Sequence, residues 1–115
     1  MKENIWIEKN RKGKEYCENG VLSFEGEHLN GERNGKGKEY YHFNGELIFE
    51  GEYLNGKKDG KVKEYNFHNR GLLFEGEYIN RKRWNGKGYD INGDFLFEIK
   101  DGKGYIAKKY LKENI

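Results

Sequence analysis

The chain has 115 residues, 34% hydrophobic and 16% aromatic, with 17 glycines and no proline. Its 22 basic and 20 acidic side chains leave a net charge of +2, which gives no electrostatic footprint for nucleic acid. Intrinsic disorder is excluded as well: a chain that cannot build a core lacks large apolar groups, whereas nine Tyr, seven Phe and two Trp each offer a wide area to bury.

Met1 leads into charged residues, and no apolar run resembles a secretory leader or a membrane span, so integral insertion is not expected. Cys17 is the only cysteine. A disulfide framework is therefore excluded, and a reducing, cytoplasmic setting is the simpler expectation, with attachment to a membrane surface left open. Residues 5–23 form a worn first unit that ends its "KEY" triplet at Tyr16. Phe24 then opens "FEGEHLNGERNGKGKEY" (24–40), which returns as "FEGEYLNGKKDGKVKEY" (49–65) and "FEGEYINRKRWNGKGY" (74–89). Phe24, Phe49 and Phe74 are 25 residues apart, and Phe97 opens a degenerate "FEIK" 23 later. The chain divides into five units, 5–23, 24–48, 49–73, 74–96 and 97–115, in one domain without a linker.

Inside each unit "FEGEYL" alternates with a period of two, and Asn-Gly or Asp-Gly follows, the dipeptides that accept the positive φ of tight hairpins. Asn-Gly occurs seven times and Asp-Gly twice. The expected fold is all-β: an elongated, twisted, single-layer antiparallel meander of nine or ten strands. "YIAKKYLKENI" (105–115) reads equally as a last strand or a short capping helix.

Setting Gly26 opposite Gly37 places Glu25 against Lys38 and Glu27 against Lys36; the next unit repeats this with Glu50–Lys63 and Glu52–Lys61. This face is expected to be solvated, its pairs serving register more than stability. Acid–base chemistry would need a cleft and a partner of shifted pKa, so no catalytic residue is assigned. The other face carries Phe24, Phe49, Tyr53, Phe74 and Tyr78 over Gly26, Gly51 and Gly76, with His28 in the first tyrosine place. One sheet cannot cover both faces, so part of this aromatic surface should stay exposed for a partner. The faces of Tyr40 and Tyr65 depend on whether a bulge precedes them. His42 and His68 occupy equivalent turns, but two imidazoles without a third ligand make no metal site, and Cys17 has no repeated histidine to activate it. No cofactor or metal is expected.

A meander puts alternate turns on opposite edges. The turns after the "FEGE" strands hold Arg11, Lys12, Arg33, Lys57, Lys58, Arg81, Lys82 and Arg83 against Glu32 and Asp59; the opposite turns hold Arg70 against Glu18, Glu46, Asp90 and Asp94. One edge should be basic and the other acidic. "NRKRWNG" (80–86) reads as a turn one residue longer than "NGERNG" and "NGKKDG", with Arg81 in place of glycine and an added Trp84. Trp84 either folds back over the sheet or joins the cations in contacting a partner.

The aromatic-x-Gly-x-aromatic strand, the Asn-Gly turn and the following Gly-x-Gly resemble the MORN repeat. The unit length and the stretch from Lys38 to Gly45 are similar to its longer variant, common in bacterial and protist proteins. The resemblance covers nearly the whole chain, with departures at Arg81, at Val62 in place of Gly37, and at Tyr89, which lacks a preceding "KE". It implies stacked β-hairpins and a non-enzymatic scaffold for protein–protein interaction or self-association. Its alternatives are peripheral binding to acidic phospholipid through the basic edge, and an antitoxin or immunity-type partner of another protein. Arg33, Lys57, Lys58, Arg81, Lys82, Arg83 and Trp84 are the candidate contact residues for these roles.

Overall fold

A computed structural model describes residues 9–106. Nine strands run in chain order: β1 (Arg11–Tyr16), β2 (Leu22–Leu29), β3 (Glu32–Tyr40), β4 (Leu47–Leu54), β5 (Lys57–Tyr65), β6 (Leu72–Ile79), β7 (Lys82–Tyr89), β8 (Phe95–Lys100) and β9 (Lys103–Ile106). Each pairs antiparallel with the next to make one open sheet, and the described residues include no helix. The segment read as a final strand or capping helix is strand as far as Ile106; its remainder, 107–115, and residues 5–8 of the first unit lie outside the described residues.

Turn chemistry sets this order. Leu29↔Glu32, Leu54↔Lys57, Ile79↔Lys82 and Lys100↔Lys103 close two-residue turns. Both central residues have positive φ: 52° and 79° at Asn30-Gly31, 49° and 82° at Asn55-Gly56, 49° and 72° at Asn80-Arg81. Such turns twist the way paired strands twist. The opposite edge uses wider loops, closed by backbone hydrogen bonds between Cys17 and Val21, Tyr41 and Glu46, Asn66 and Gly71, and Asp90 and Asp94. The two turn sets therefore lie on opposite edges, as the alternation requires.

The fourth unit corrects one expectation. Its turn is no longer than the others: Asn80-Arg81 is the same two-residue turn. Asn34, Gly35 and Lys36 lie between the pairs Gly26↔Gly37 and His28↔Arg33, opposite Glu27 alone. Between Gly76↔Gly86 and Tyr78↔Arg83 there are only Trp84 and Asn85. Gly86 is thus the counterpart of Gly37, and the irregularity is a smaller bulge in β7.

Phe24, Phe49 and Phe74 are 0–2% exposed and Tyr53 and Tyr78 5–8%. They form one row across the sheet, His28–Phe24–Tyr53–Phe49–Tyr78–Phe74–Phe97, with neighbouring centroids 5.3–6.3 Å apart and edge-to-face contacts except the last, which is stacked. Each such pair adds about 0.5–1.5 kcal/mol beyond area burial. Rings lie over glycines of a neighbouring strand: Phe24 over Gly37 and Phe74 over Gly86 of the next strand, Phe97 over Gly88 of the one before. At Gly51 the neighbour is Val62, the residue that replaces a glycine in this unit.

Phe49→Ala, which empties a site enclosed from both sides, is expected to cost about 3–5 kcal/mol. Phe97→Ala, at the half-buried end of the row, is expected to cost clearly less; equal losses in chemical denaturation would contradict the stacked order. Arg81 holds the left-handed conformation that Gly31 and Gly56 take without a Cβ penalty. Arg81→Gly is therefore expected to raise stability by about 0.5–1 kcal/mol, read from the shift in denaturation midpoint.

Candidate functional site

The ring row lies on the face that the cations of the basic turns also reach. Arg33 Cζ sits 4.0 Å from the Phe24 centroid, Lys58 Nζ 4.0 Å from that of Phe49, and Arg83 Cζ 4.6 Å from that of Phe74. The cation is always nine residues after its phenylalanine, because the two-residue turn folds β3, β5 and β7 straight back over β2, β4 and β6. A carboxylate from two strands earlier, across the ring-bearing strand, anchors each one. Arg33 grips Glu15 with Nε at 2.9 Å and Nη2 at 3.1 Å, Lys58 Nζ meets Glu39 at 3.2 Å, and Arg83 Nε meets Glu64 at 2.9 Å. The same carboxylates accept from the ring row: Tyr53 Oη donates to Glu39 (2.7 Å), Tyr78 Oη to Glu64 (2.9 Å), and His28 Nε2 lies 3.1 Å from Glu15. The Arg33 guanidinium holds the Glu15 carboxyl below the usual carboxylate range. Burial first, then the bond to Glu39, raises Tyr53; burial and the charge of Glu64 push Tyr78 up to about 12.

Of the contact residues expected from the sequence, Arg33, Lys58 and Arg83 thus form the lid of the aromatic core. Phe24, Phe49, Tyr53, Phe74 and Tyr78 lie beneath that lid. Lys57, Arg81 and Lys82 are exposed on the basic edge. Trp84 is half-buried; its indole lies against Gly102 in the next turn, and its carbonyl accepts from Gly102 N at 2.9 Å. Neighbouring turns are stapled in the same way along this edge: Asn34 Oδ1 accepts from Asn55 N, Asp59 Oδ2 from Asn80 N, and Asn85 Oδ1 from Asp101 N.

The opposite face curls into an open groove of about 1440 Å³ across β1 to β6. Register alternates the charges strand by strand: Lys14↔Glu25, Lys38↔Glu50, Lys63↔Glu75 and Lys87↔Glu98. The expected pairs Glu25–Lys38 and Glu50–Lys63 are in register. Glu27 and Glu52 behave differently, because the bulges at Gly35 and Gly60 turn backbone amides toward them. Their carboxylates accept from Lys36 N (2.8 Å) and Lys61 N (3.1 Å) in place of the ammonium groups. Tyr40 and Tyr65 share this face by plain alternation from Lys38 and Lys63, the extra residues at those register shifts being Ile48 and Leu73 of the partner strands, and donate to Glu25 (2.6 Å) and Glu50 (2.5 Å). Burial and then these bonds push both hydroxyls up to about 12. From β2 to β5 the groove's carboxylates, Glu25, Glu27, Glu50 and Glu52, are therefore half-buried and engaged, whereas Glu75 and Glu77 of β6 and the groove's lysines are exposed. Among the described residues Lys63 pairs with Glu75 at 3.4 Å, and Lys36, Lys38 and Lys61 have no ion-pair partner within 4.0 Å.

Sequence reasoning missed the aromatic cluster of the acidic edge. Tyr41 stacks on Phe67 at 4.3 Å, and Phe43, 75% exposed, lies against His42 and Tyr41. Asn19, Asn44 and Asn69 brace this edge by donating to the carbonyls of His42, Phe67 and Ile91. The signal was rings in the turn segments "YYHFNG" and "YNFHNRG", where polar residues are the rule. His42 and His68 are exposed beside these rings, and no group of three or more metal-binding side chains forms among the described residues.

Four tyrosines carry the pH prediction. Their folded pKa values lie above the unfolded value of about 10, so the stability they contribute is complete below pH 10 and is lost as pH rises toward 12. Tyrosinate absorbance of Tyr40, Tyr53, Tyr65 and Tyr78 is expected to appear together with loss of sheet dichroism. Ionisation of all four in a still-folded chain would contradict the hydrogen bonds described above. In comparisons with known proteins, no family model matches this chain, and no curated protein matches it.

Proposed function

We propose that the chain is a non-enzymatic, MORN-like repeat scaffold that works in the cytoplasm and docks an acidic segment of a protein partner in its lysine-lined groove. The observation that carries this reading is the asymmetry of charge inside the groove. Glu25, Glu50, Glu27 and Glu52 are tied to tyrosine hydroxyls and backbone amides, while Lys36, Lys38 and Lys61 stand exposed with no ion-pair partner among the described residues. Glu75 and Glu77 are exposed at the β6 end, but from β2 to β5 the groove holds its carboxylates inward and presents its ammonium groups outermost at strand spacing, which suits carboxylates or phosphates on an extended or helical segment. The carboxylates of the opposite face are held in ion pairs with Arg33, Lys58 and Arg83, a structural use.

The test is affinity capture on the purified chain, with bound proteins identified by mass spectrometry and titrated against salt. Lys36→Gln/Lys38→Gln/Lys61→Gln is expected to fold as wild type, since none of these ammonium groups makes an ion pair, and to weaken the partner at least tenfold. Affinity that survives this change, or that does not fall with salt, would overturn the groove as the docking site. A second reading, attachment to acidic phospholipid, rests on the exposure of Lys57, Arg81 and Lys82 along one edge. Pelleting with vesicles of acidic against neutral lipid decides it, because a flat bilayer meets an edge and cannot enter a groove.

A further inference from the structure

We infer that the chain self-associates as a two-fold dimer by pairing β9 of one copy antiparallel with β9 of another. The first observation is a vacancy in a repeated packing rule. From Gly13 to Gly88, each strand glycine outside the left-handed region or beneath a ring has a neighbour's atom within 3.0 Å of where a Cβ would stand. Among the described residues, nothing lies within 4 Å of where a Cβ of Gly104 would stand. Beside it an apolar notch of about 420 Å³ opens between Phe97, Ile99 and Ile106. All four residues of β9 are exposed, Tyr105 at 56% and Ile106 at 60%.

The second observation is register. Lys100↔Lys103 closes the two-residue turn, so it is a hydrogen-bonded pair, and the alternation of an antiparallel ladder turns the N–H and C=O groups of Gly104 and Ile106 away from β8. A two-fold axis normal to the sheet at Tyr105 sets Gly104 opposite Ile106 of the second copy, and the reverse. Four backbone hydrogen bonds form, each Ile106 covers the other copy's Gly104, and the two Tyr105 rings face each other as a close cross-strand pair on the groove side. The interface is self-complementary because Gly104 and Ile106 lie symmetrically about Tyr105.

The other end of the sheet does not offer this. β1 presents Arg11, Lys12, Lys14 and Glu15, charges that protect an edge from pairing. The two-fold also reverses strand direction, so each long edge of the dimer joins a basic half to an acidic half.

Sedimentation velocity of the full chain, from about 5 to 500 µM, reads the outcome. Wild type is expected to shift from 13.6 kDa to twice that mass. Gly104→Val is expected to stay monomeric throughout while melting no lower than wild type at the dilute end of the range, where wild type is also monomeric, because its side chain enters open space and occupies the seat of the incoming Ile106. Ile106→Lys is expected to be monomeric as well. In a Cys17→Ser background, Tyr105→Cys is expected to form an intermolecular disulfide on mild oxidation and Glu98→Cys is not. A wild type monomeric across the range, a Gly104→Val variant that dimerises or that melts lower than wild type at the dilute end of the range, or oxidation that links Glu98→Cys as readily as Tyr105→Cys, would each overturn the proposal.

Discussion

A single-layer sheet has no second layer to close its apolar face, and the rest of this structure follows from how that gap is filled. Arg33, Lys58 and Arg83 lie over Phe24, Phe49 and Phe74, and Glu15, Glu39 and Glu64 hold them there. The long stems of these cations cover apolar rings while their heads stay in contact with water, a geometry open to Lys and Arg and closed to short polar residues. A cation over a ring contributes about 0.5–2 kcal/mol, the larger values where water is displaced. The rings are nearly inaccessible although only one sheet exists, because charged residues do the covering that a helix or second sheet does elsewhere.

The lid also ties the units to one another. Glu39 belongs to the second unit but accepts from Tyr53 and binds Lys58 of the third; Glu64 belongs to the third and serves Tyr78 and Arg83 of the fourth. Ring contacts cross the same boundaries, from Phe24 to Tyr53 and from Phe49 to Tyr78. Stability then resides more in the interfaces than in the units, the condition under which a repeat array folds cooperatively over several neighbours. Glutamate has another use on the groove side, where it accepts from tyrosine hydroxyls and bulge amides. One residue type thus seals the convex face by pairing with cations and shapes the concave face by leaving lysines unmatched.

Much of the architecture was legible in the sequence. The period of 25, the period-two alternation and the Asn-Gly turns led to the strand order, the opposed edges and the Gly26↔Gly37 register. The bulges were not legible, because three residues opposing one leave no mark in an alternating pattern. With them went the fate of Glu27; the face of Tyr40 follows plain alternation, because the extra residue at its register shift is Ile48 of β4. The lid cations were misplaced for a simpler reason. Reading "NGERNG" as a turn put Arg33 at a tip, whereas only Asn30 and Gly31 are the turn and Arg33 already stands in β3, an even number of residues from Gly37 and hence on the face of Phe24. Trp84 was aligned through the wrong glycine, since Gly86 answers to Gly37 and not to Gly35.

The ladder is balanced at its ends as well as along its length. His28 replaces the tyrosine at the N-terminal side yet reaches Glu15, so no carboxylate there lacks a donor. At the C-terminal side Phe97 brings neither a cation nor a glutamate of its own; it stacks on Phe74, and Arg83 lies 5.7 Å from its centroid as well. Removing one member of such a set would strand its partner in a half-dry site, which costs more than the pair contributes. Because the lid is ionic and partly exposed, salt screens it while leaving ring burial untouched. The core of this sheet therefore responds to ionic strength in a way that a core closed by aliphatic side chains does not.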